Sequence, residues 1–119
     1  MTRDEFNQYC ASLKSTTHVI QWGDASVWKI GRKIFAICPY WGEGEQHKIS
    51  FKCSDLNYQI LCELDGIIPA PYLARAKWVQ IQNKDAMNEA DIKDYIKAAY
   101  DIISKKLTKK QRAELGIAD

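Results

Sequence analysis

The segment VWKIGRKIFAIC, residues 27–38, contains the strongest local structural signal in the chain. Two runs rich in β-branched and aromatic residues flank the dipeptide Gly31-Arg32. Glycine at the first central position suits a two-residue type II′ turn, which joins antiparallel strands closely. The segment therefore predicts a β-hairpin with strands at 27–30 and 33–38, and with it an antiparallel sheet.

Three further segments are predicted strands of the same sheet: HVIQW (18–22), HKISFKC (47–53) and KWVQIQ (77–82). In the second of them apolar and polar residues alternate, with Ile49, Phe51 and Cys53 between Lys48, Ser50 and Lys52. Such alternation is typical of a sheet with one buried face and one face in water. Trp78 lies either on that exposed face or against the core, and alternation leaves both orientations open.

Four helices are predicted around these strands. A T-x-x-E capping box at Thr2 opens the first, and Ser54 caps a second, shorter one. A long apolar stripe at helical spacing runs from Ile92 to Leu107, and a capping box at Thr108 opens a short last helix. The sequence thus predicts one α+β domain over 1–119, a two-layer sandwich of an antiparallel sheet covered by helices, in the order α-β-β-β-β-α-β-α-α.

Composition places the chain among ordinary cytoplasmic globular proteins. Of its 119 residues, 46% are hydrophobic and 27% charged, which excludes disordered and fibrous classes. No apolar run reaches the roughly 20 residues of a membrane helix, and the start lacks the apolar core of a secretory signal. The four cysteines form no CxxC pair, so we expect buried, reduced thiols and no zinc site.

Motifs for catalysis or cofactor binding are missing from the sequence. It contains no GxGxxG, GxxxxGKS or HExxH pattern. Glu43, Glu45 and His47 form either a cation site or, far more simply, a solvated turn. We therefore predict a protein that is not an enzyme and that needs no cofactor or metal. A ligand-binding alternative would require a pocket walled by four aromatic residues, Trp22, Trp28, Tyr72 and Trp78.

Positive charge falls into clusters although the formal net charge is only +2. One cluster lies at the hairpin turn and comprises Lys29, Arg32 and Lys33, and another is the strand pair Lys48 and Lys52. The largest lies late in the chain and comprises Lys93, Lys97, Lys105, Lys106, Lys109, Lys110 and Arg112. Ion pairs at helical spacing, Asp94–Lys97 and Asp101–Lys105, offer a structural explanation for this last cluster.

Several stretches resemble the MmcQ/YjbR family of small bacterial proteins: WGDASVWKIGRKIFAI (22–37), FKCSD (51–55), GIIPAPYLARAKW (66–78) and SKKLTKKQRAEL (104–115). The resemblance covers nearly the whole chain and implies a frataxin-like (CyaY-like) fold. It also implies DNA binding, with two hairpin wings as the contacts. The hairpin pattern of the family falls on Gly31, Lys33 and Phe35, whereas Glu43 and Glu45 at the other wing would repel phosphate.

From the residues and the resemblance together we predict a monomer that binds the backbone of double-stranded DNA. The candidate nucleic-acid-binding residues are Lys29, Arg32, Lys33, Arg75, Lys77 and Trp78. The alternative is an adaptor that binds another cytosolic protein through the exposed sheet face and the connection 69–78. In that connection, prolines 69 and 71 stiffen the chain, and we expect Tyr72 and Leu73 to pin it to the core.

Overall fold

The computed structural model describes residues 1–39, 48–83 and 85–117, and it confirms an α+β sandwich in which helices pack against an antiparallel sheet. Its elements are α1 (Arg3–Ser12), β1 (Thr16–Gln21), β2 (Ala25–Ile30), β3 (Lys33–Cys38), β4 (Ser50–Lys52), α2 (Asp55–Cys62), β5 (Ile67–Pro69), a 3₁₀ turn (Ala74–Ala76), β6 (Trp78–Ile81), α3 (Glu89–Lys105) and α4 (Lys109–Glu114). The predicted capping boxes at Thr2 and Thr108 and the cap at Ser54 are all present.

The sheet has six strands in the order β1-β2-β3-β4-β6-β5, and every neighbouring pair is antiparallel. The strand added to the predicted order is β5, which the sequence reading treated as part of a connection. It has three residues, ends in Pro69 and pairs with β6 alone. A proline is compatible with a strand at the edge of a sheet, because its missing N–H faces away from the ladder.

The β2–β3 hairpin has the predicted two-residue loop, since Ile30 pairs with Lys33. The turn type differs from the prediction. Gly31 and Arg32 both have positive φ, +57° and +75°, which is the pattern of a type I′ turn. The twist of a type I′ turn matches that of the flanking strands, and this favours it although an arginine must then adopt a left-handed conformation.

The main core lies between one face of the sheet and the helices α1, α2 and α3. Its largest fully buried side chains include Phe6, Phe35 and Phe51. Phe51 pairs with Ala36 on one side and with Val79 on the other, so the short strand β4 joins the two halves of the sheet. A β-bulge in β3 lets Phe35 face the helices together with Ala36.

The second face of the sheet is not the exposed surface that alternation predicted. Ser50 and Gln80 are buried there, and Gln80 Nε2 donates a hydrogen bond to Ser50 Oγ at 3.4 Å. Residues 70–77, which we call the strap, pack on this face and form a small second core with Trp78 and the inner residues of β2 and β3. Ser50 of β4 and Gln80 of β6 are thus buried as a hydrogen-bonded pair, and the alternation of polar and apolar residues does not reveal this.

The hairpin turn is packed against the junction of α3 and α4. A Cβ atom added at Gly31 would lie 2.8 Å from Leu107 Cδ1, whereas one added at Gly23 would meet nothing within 4 Å. Both glycines have positive φ, so an alanine at either site costs about 1 kcal/mol of backbone strain.

We expect Gly31→Ala to lower the free energy of unfolding by about 2 kcal/mol and Gly23→Ala by about 1 kcal/mol. The difference between them measures the displacement of Leu107, because the backbone cost is shared. Urea denaturation of both variants checks this. Equal losses would show that the Leu107 side chain moves aside without cost.

Candidate nucleic-acid interface

The antiparallel topology gathers chain segments that are far apart in sequence. Strands β1, β3 and β6 begin at the same end of the sheet at which β2, β4 and β5 end. The contact of Gly31 with Leu107 places the end of α3 there as well. Ser15 Oγ donates to the carbonyl oxygen of Leu115, which adds α4.

We call this end of the sheet, with the α3–α4 junction, the basic end. Its cationic residues come from the α1–β1 connection, the hairpin, β4, the strap and the two last helices with their junction: Lys14, Lys29, Arg32, Lys33, Lys52, Arg75, Lys77, Lys105, Lys106, Lys109, Lys110 and Arg112. Two acidic residues, Asp55 and Glu114, lie among them. Cations from all three basic clusters of the sequence therefore lie at one end of the sheet, whereas Lys48, Lys93 and Lys97 of those clusters lie elsewhere.

Acidic residues collect at the opposite end of the sheet, which we call the acidic end. Helices α1 and α3 both begin there, as shown by the groove that Glu5 and Glu89 share. The Arg3 side chain bonds the carbonyl oxygen of Asp24 in the β1–β2 turn at the same end. The acidic residues of this end are Asp4, Glu5, Asp24, Glu63, Asp65, Asp85, Glu89 and Asp91. Acidic residues thus outnumber basic ones at this end, where Arg3, Lys48 and Lys93 also lie, whereas basic residues dominate the other end.

Lys52 lies near the centre of the basic end. Its Nζ donates to the carbonyl oxygen of Ala76 in the strap. Burial lowers the pKa of Lys52, and the neighbouring charges of Lys106 and Lys77 lower it further, against a raising effect of Asp55. These interactions show that ammonium groups from β4, α3 and the strap are close enough to repel each other. An anion bound among them would relieve that repulsion.

The ion pairs on α3 differ from those that the sequence predicted. Lys97 Nζ lies 2.6 Å from Asp101 Oδ1, and Lys93 Nζ lies 4.0 Å from Glu89 Oε1. Asp101 therefore forms its ion pair with Lys97, one turn earlier in α3. The predicted pair of Asp101 with Lys105 is not formed among the described residues. Lys105 is exposed and has no ion-pair partner in that part of the chain. Helical spacing allowed both partners, and only the side-chain conformations decide between them.

Five of the six candidate residues lie at the basic end with at least part of the side chain in solvent. Arg32, Lys33 and Arg75 are exposed, while Lys29 and Lys77 are half-buried. Lys77 Nζ lies 4.9 Å from the centre of the Tyr58 ring, a cation–π contact with α2. The cations of the hairpin and those of the strap thus lie at the same end of the sheet, because β2, β3 and β6 have their hairpin and strap ends there.

Trp78, the sixth candidate, is buried on the second face of the sheet and is 5% exposed. Its ring supports the strap and is not available to stack on a base. The aromatic residue of the strap that reaches solvent is Tyr72, which is 105% exposed and was expected to pin the strap to the core. Leu73, the other residue expected to do so, packs in the second core as predicted. A stretch with prolines and alternating side chains does not indicate which of two neighbouring apolar residues faces inward.

Sequence reasoning also left out of the site several cations that the fold places there, namely Lys52, Lys105, Lys106, Lys109 and Lys110. The signal was present, since the last two helices form the densest basic run of the chain. The sequence does not show that this basic run lies beside the hairpin, which follows from the contact between Leu107 and Gly31.

An open groove of about 610 Å³ lies beside the hairpin turn. Val19 and Leu115 are apolar residues of its lining, and Lys29, Arg32 and Glu114 are its charged residues. The groove runs between the edge strand β1 and α4. It adds a concave surface to the basic end, next to the cations most exposed at the hairpin.

His18, Ser26 and Asn7 are connected by hydrogen bonds and resemble a catalytic arrangement, but the hydrogen bond between histidine and serine runs in the opposite direction. Ser26 Oγ donates to Asn7 Oδ1 at 2.5 Å and lies 2.6 Å from His18 Nε2, which therefore donates to the hydroxyl. A general base would have to accept the serine proton. Ser26 is also fully buried, and Trp28 Nε1 donates to the same Asn7 oxygen at 2.9 Å. These hydrogen bonds connect α1 to β1 and β2.

The thiols are not presented as nucleophiles. Cys62 is only partly buried, although all four thiols were expected to be buried. Cys10, Cys38 and Cys53 are buried, as predicted, and burial raises the pKa of Cys38 and of Cys53 to about 12. These groups stay protonated near neutral pH. Among the residues that the structure describes, no three His, Cys, Asp or Glu side chains come together to hold a metal ion.

The four aromatic residues that would have to wall a pocket in the ligand-binding alternative do not come together. Trp28 lies in the main core and Trp78 in the second core, on opposite faces of the sheet, while Trp22 and Tyr72 are exposed. The loop with Glu43, Glu45 and His47, including the second predicted wing, lies outside the described residues. None of the helices in the described ranges is long and apolar enough to cross a membrane.

Comparison with known proteins agrees with this fold. A solved structure from Deinococcus radiodurans has a TM-score of 0.87 at 21% identity, covering 99% of this chain and 90% of that one. A second, from Pseudomonas syringae, has a TM-score of 0.69 at 18% identity, covering 86% and 98%. At these identities they show the fold alone, and no curated protein matches the sequence. The YjbR family model, however, matches residues 11–102, well over half of the sequence, and the chain therefore belongs to the YjbR family.

Proposed function

We propose that this protein is a cytoplasmic, non-enzymatic DNA-binding module that contacts the phosphate backbone of duplex DNA with its basic end. The observation that carries the proposal is the meeting of cations from the hairpin, β4, the strap and the α3–α4 junction at one end of the sheet. Lysine and arginine contacts to phosphate release counterions and supply most of the affinity of non-specific DNA binding.

The contacts of this proposal are electrostatic and carry no sequence information. Arg32 lies at the tip of a hairpin, Arg75 on the strap and Lys106 at the end of α3. Each is exposed, so each can approach a phosphate without unfolding any element. The sequence shows no recognition-helix pattern, and α4, the helix at this end, has only six residues, so we expect backbone contact without sequence preference.

The proposal is tested by titrating a labelled 20-base-pair duplex and following fluorescence anisotropy at two salt concentrations. With about four to six phosphate contacts, we expect the affinity to fall roughly 10²- to 10³-fold between about 50 and 200 mM salt. Two duplexes of unrelated sequence should bind equally. An absence of binding at the lower salt concentration would contradict the proposal.

A second candidate function is the protein adaptor. The sequence-based argument for it required an exposed sheet face, but Trp78 on that face is buried. Another observation favours it. Leu56, Ile60 and Leu64 are exposed at successive turns along α2 and just beyond it. An apolar stripe of this kind is typical of helices that dock on a partner. This candidate, taken alone, predicts no affinity for the duplex at either salt concentration.

A further inference from the structure

Tyr72 occupies an unusual position in the strap. The Leu73 N–H donates to the Ala70 carbonyl oxygen at 3.0 Å, which closes a β-turn with Pro71 and Tyr72 at its centre. Tyr72 has a φ of +66°. Proline followed by a residue with positive φ is the pattern of a type II turn, whose second central position strongly favours glycine. A tyrosine there strains the backbone.

Packing does not compensate for this strain. The Tyr72 side chain is 105% exposed, as accessible as in an extended peptide. Within the part of the chain that the structure describes, it makes no hydrogen bond and no ring contact. A strained backbone that presents a side chain to solvent, without benefit to the fold, indicates a role outside the fold.

The turn that carries Tyr72 is held firmly. The Ala70 N–H donates to the Trp78 carbonyl oxygen at 3.0 Å, and the Trp78 N–H donates to the Leu73 carbonyl oxygen at 3.2 Å. Leu73 packs in the second core. The backbone at Tyr72 is thus held in one conformation, so only its side-chain torsions are ordered when the ring meets a ligand.

The surroundings of Tyr72 select the ligand. Arg75 and Lys77 follow it in the same strap, and Lys52 bonds the strap at Ala76. An exposed aromatic ring among cations is the arrangement with which proteins bind single-stranded nucleic acid, because bases stack on the ring while the cations hold the phosphates. In a duplex the bases are already stacked on each other and offer the ring no free face.

We propose that Tyr72 stacks on unpaired bases, so that the basic end binds single-stranded DNA, or the single-stranded part of a junction, in addition to duplex. This inference rests on the proposed function, since the same cations must bind phosphate. It goes beyond it by assigning to one residue the ability to distinguish unpaired from paired DNA.

The test compares a 15-nucleotide single strand with a duplex of equal length, by anisotropy, for wild type, Tyr72→Phe, Tyr72→Gly and Trp22→Ala. Glycine relieves the positive φ, so Tyr72→Gly should unfold at the same or a higher temperature than wild type. Trp22→Ala is the matched control, because Trp22 is also exposed and has positive φ but lies at the acidic end.

We expect Tyr72→Gly to bind the single strand about 10-fold more weakly and the duplex within about twofold of wild type. Tyr72→Phe and Trp22→Ala should bind both as wild type does. Single-strand binding by Tyr72→Gly within about twofold of wild type would overturn the inference, as would an equal loss in Trp22→Ala. Wild type that binds duplex but no single strand refutes this inference alone, whereas wild type that binds neither refutes the proposed function with it.

Discussion

Replacing Arg32, Arg75 and Lys106 together by glutamine is expected to weaken duplex binding roughly 100-fold and to reduce the salt dependence of the binding constant by about three contacts. The three residues lie on the hairpin, the strap and the end of α3, so the variant removes one contact from each segment. All three are exposed, and surface substitutions of this kind change stability by about 0.5 kcal/mol or less. Anisotropy titrations at several salt concentrations measure both effects.

A matched variant separates the location of charge from its amount. Glutamine at Lys48, Lys93 and Lys97 also takes the formal net charge from +2 to −1, but these lysines lie away from the basic end. It should bind duplex within about threefold of wild type at the same salt concentration. If both triple variants lose affinity equally, net charge decides binding and the basic end has no special role.

Replacing Phe51 by alanine is expected to cost about 3 to 5 kcal/mol of the free energy of unfolding. Phe51 is fully buried, and its ring lies 5.9 Å from that of Tyr95 on α3 in a stacked arrangement. It sits in the three-residue strand that joins β3 to β6. A domain of this size is stable by roughly 5 to 15 kcal/mol, so the loss consumes a large part of that margin.

Urea or thermal unfolding of the purified variants measures this cost. Phe51→Leu should lose about 1 to 2 kcal/mol, because leucine fills most of the space. Trp22→Ala, at a site that is 64% exposed, should stay within about 0.5 kcal/mol of wild type. A loss below about 2 kcal/mol in Phe51→Ala would show that β4 is not a central part of the core.

Much of the fold follows from local patterns in the sequence. The hairpin at Gly31-Arg32, the caps at Thr2, Ser54 and Thr108, and the apolar stripe of α3 each depend on neighbours within a few residues. The strand Ile67–Pro69 escaped prediction because three residues ending in proline carry no alternation, and only pairing with β6 makes them a strand. The burial of Ser50 and Gln80 likewise depends on the strap, whose position no local pattern specifies.

The sequence allowed the hairpin cations of the candidate site to be predicted, but not the full set of residues that lie beside them. Arg32 and Lys33 are recognisable because a hairpin turn must be at the surface. Lys105 was expected to pair with Asp101, which pairs with Lys97 instead. Tyr72 was assigned to the core and Trp78 to the surface as one possibility, whereas the turn geometry of the strap reverses the two. Side-chain direction in an irregular segment depends on tertiary contacts.

The segregation of acidic and basic residues gives this molecule a permanent dipole along its strands. The field of a polyanion exerts a torque on such a dipole and turns the protein before the two touch, within the Debye length of about 10 Å at 0.1 M salt and beyond it in more dilute salt. A chain whose overall charge is nearly balanced thus arrives already oriented. In the DNA complex that we propose, the acidic end would point away from the bound duplex and repel a second one, so one molecule would not bridge two duplexes.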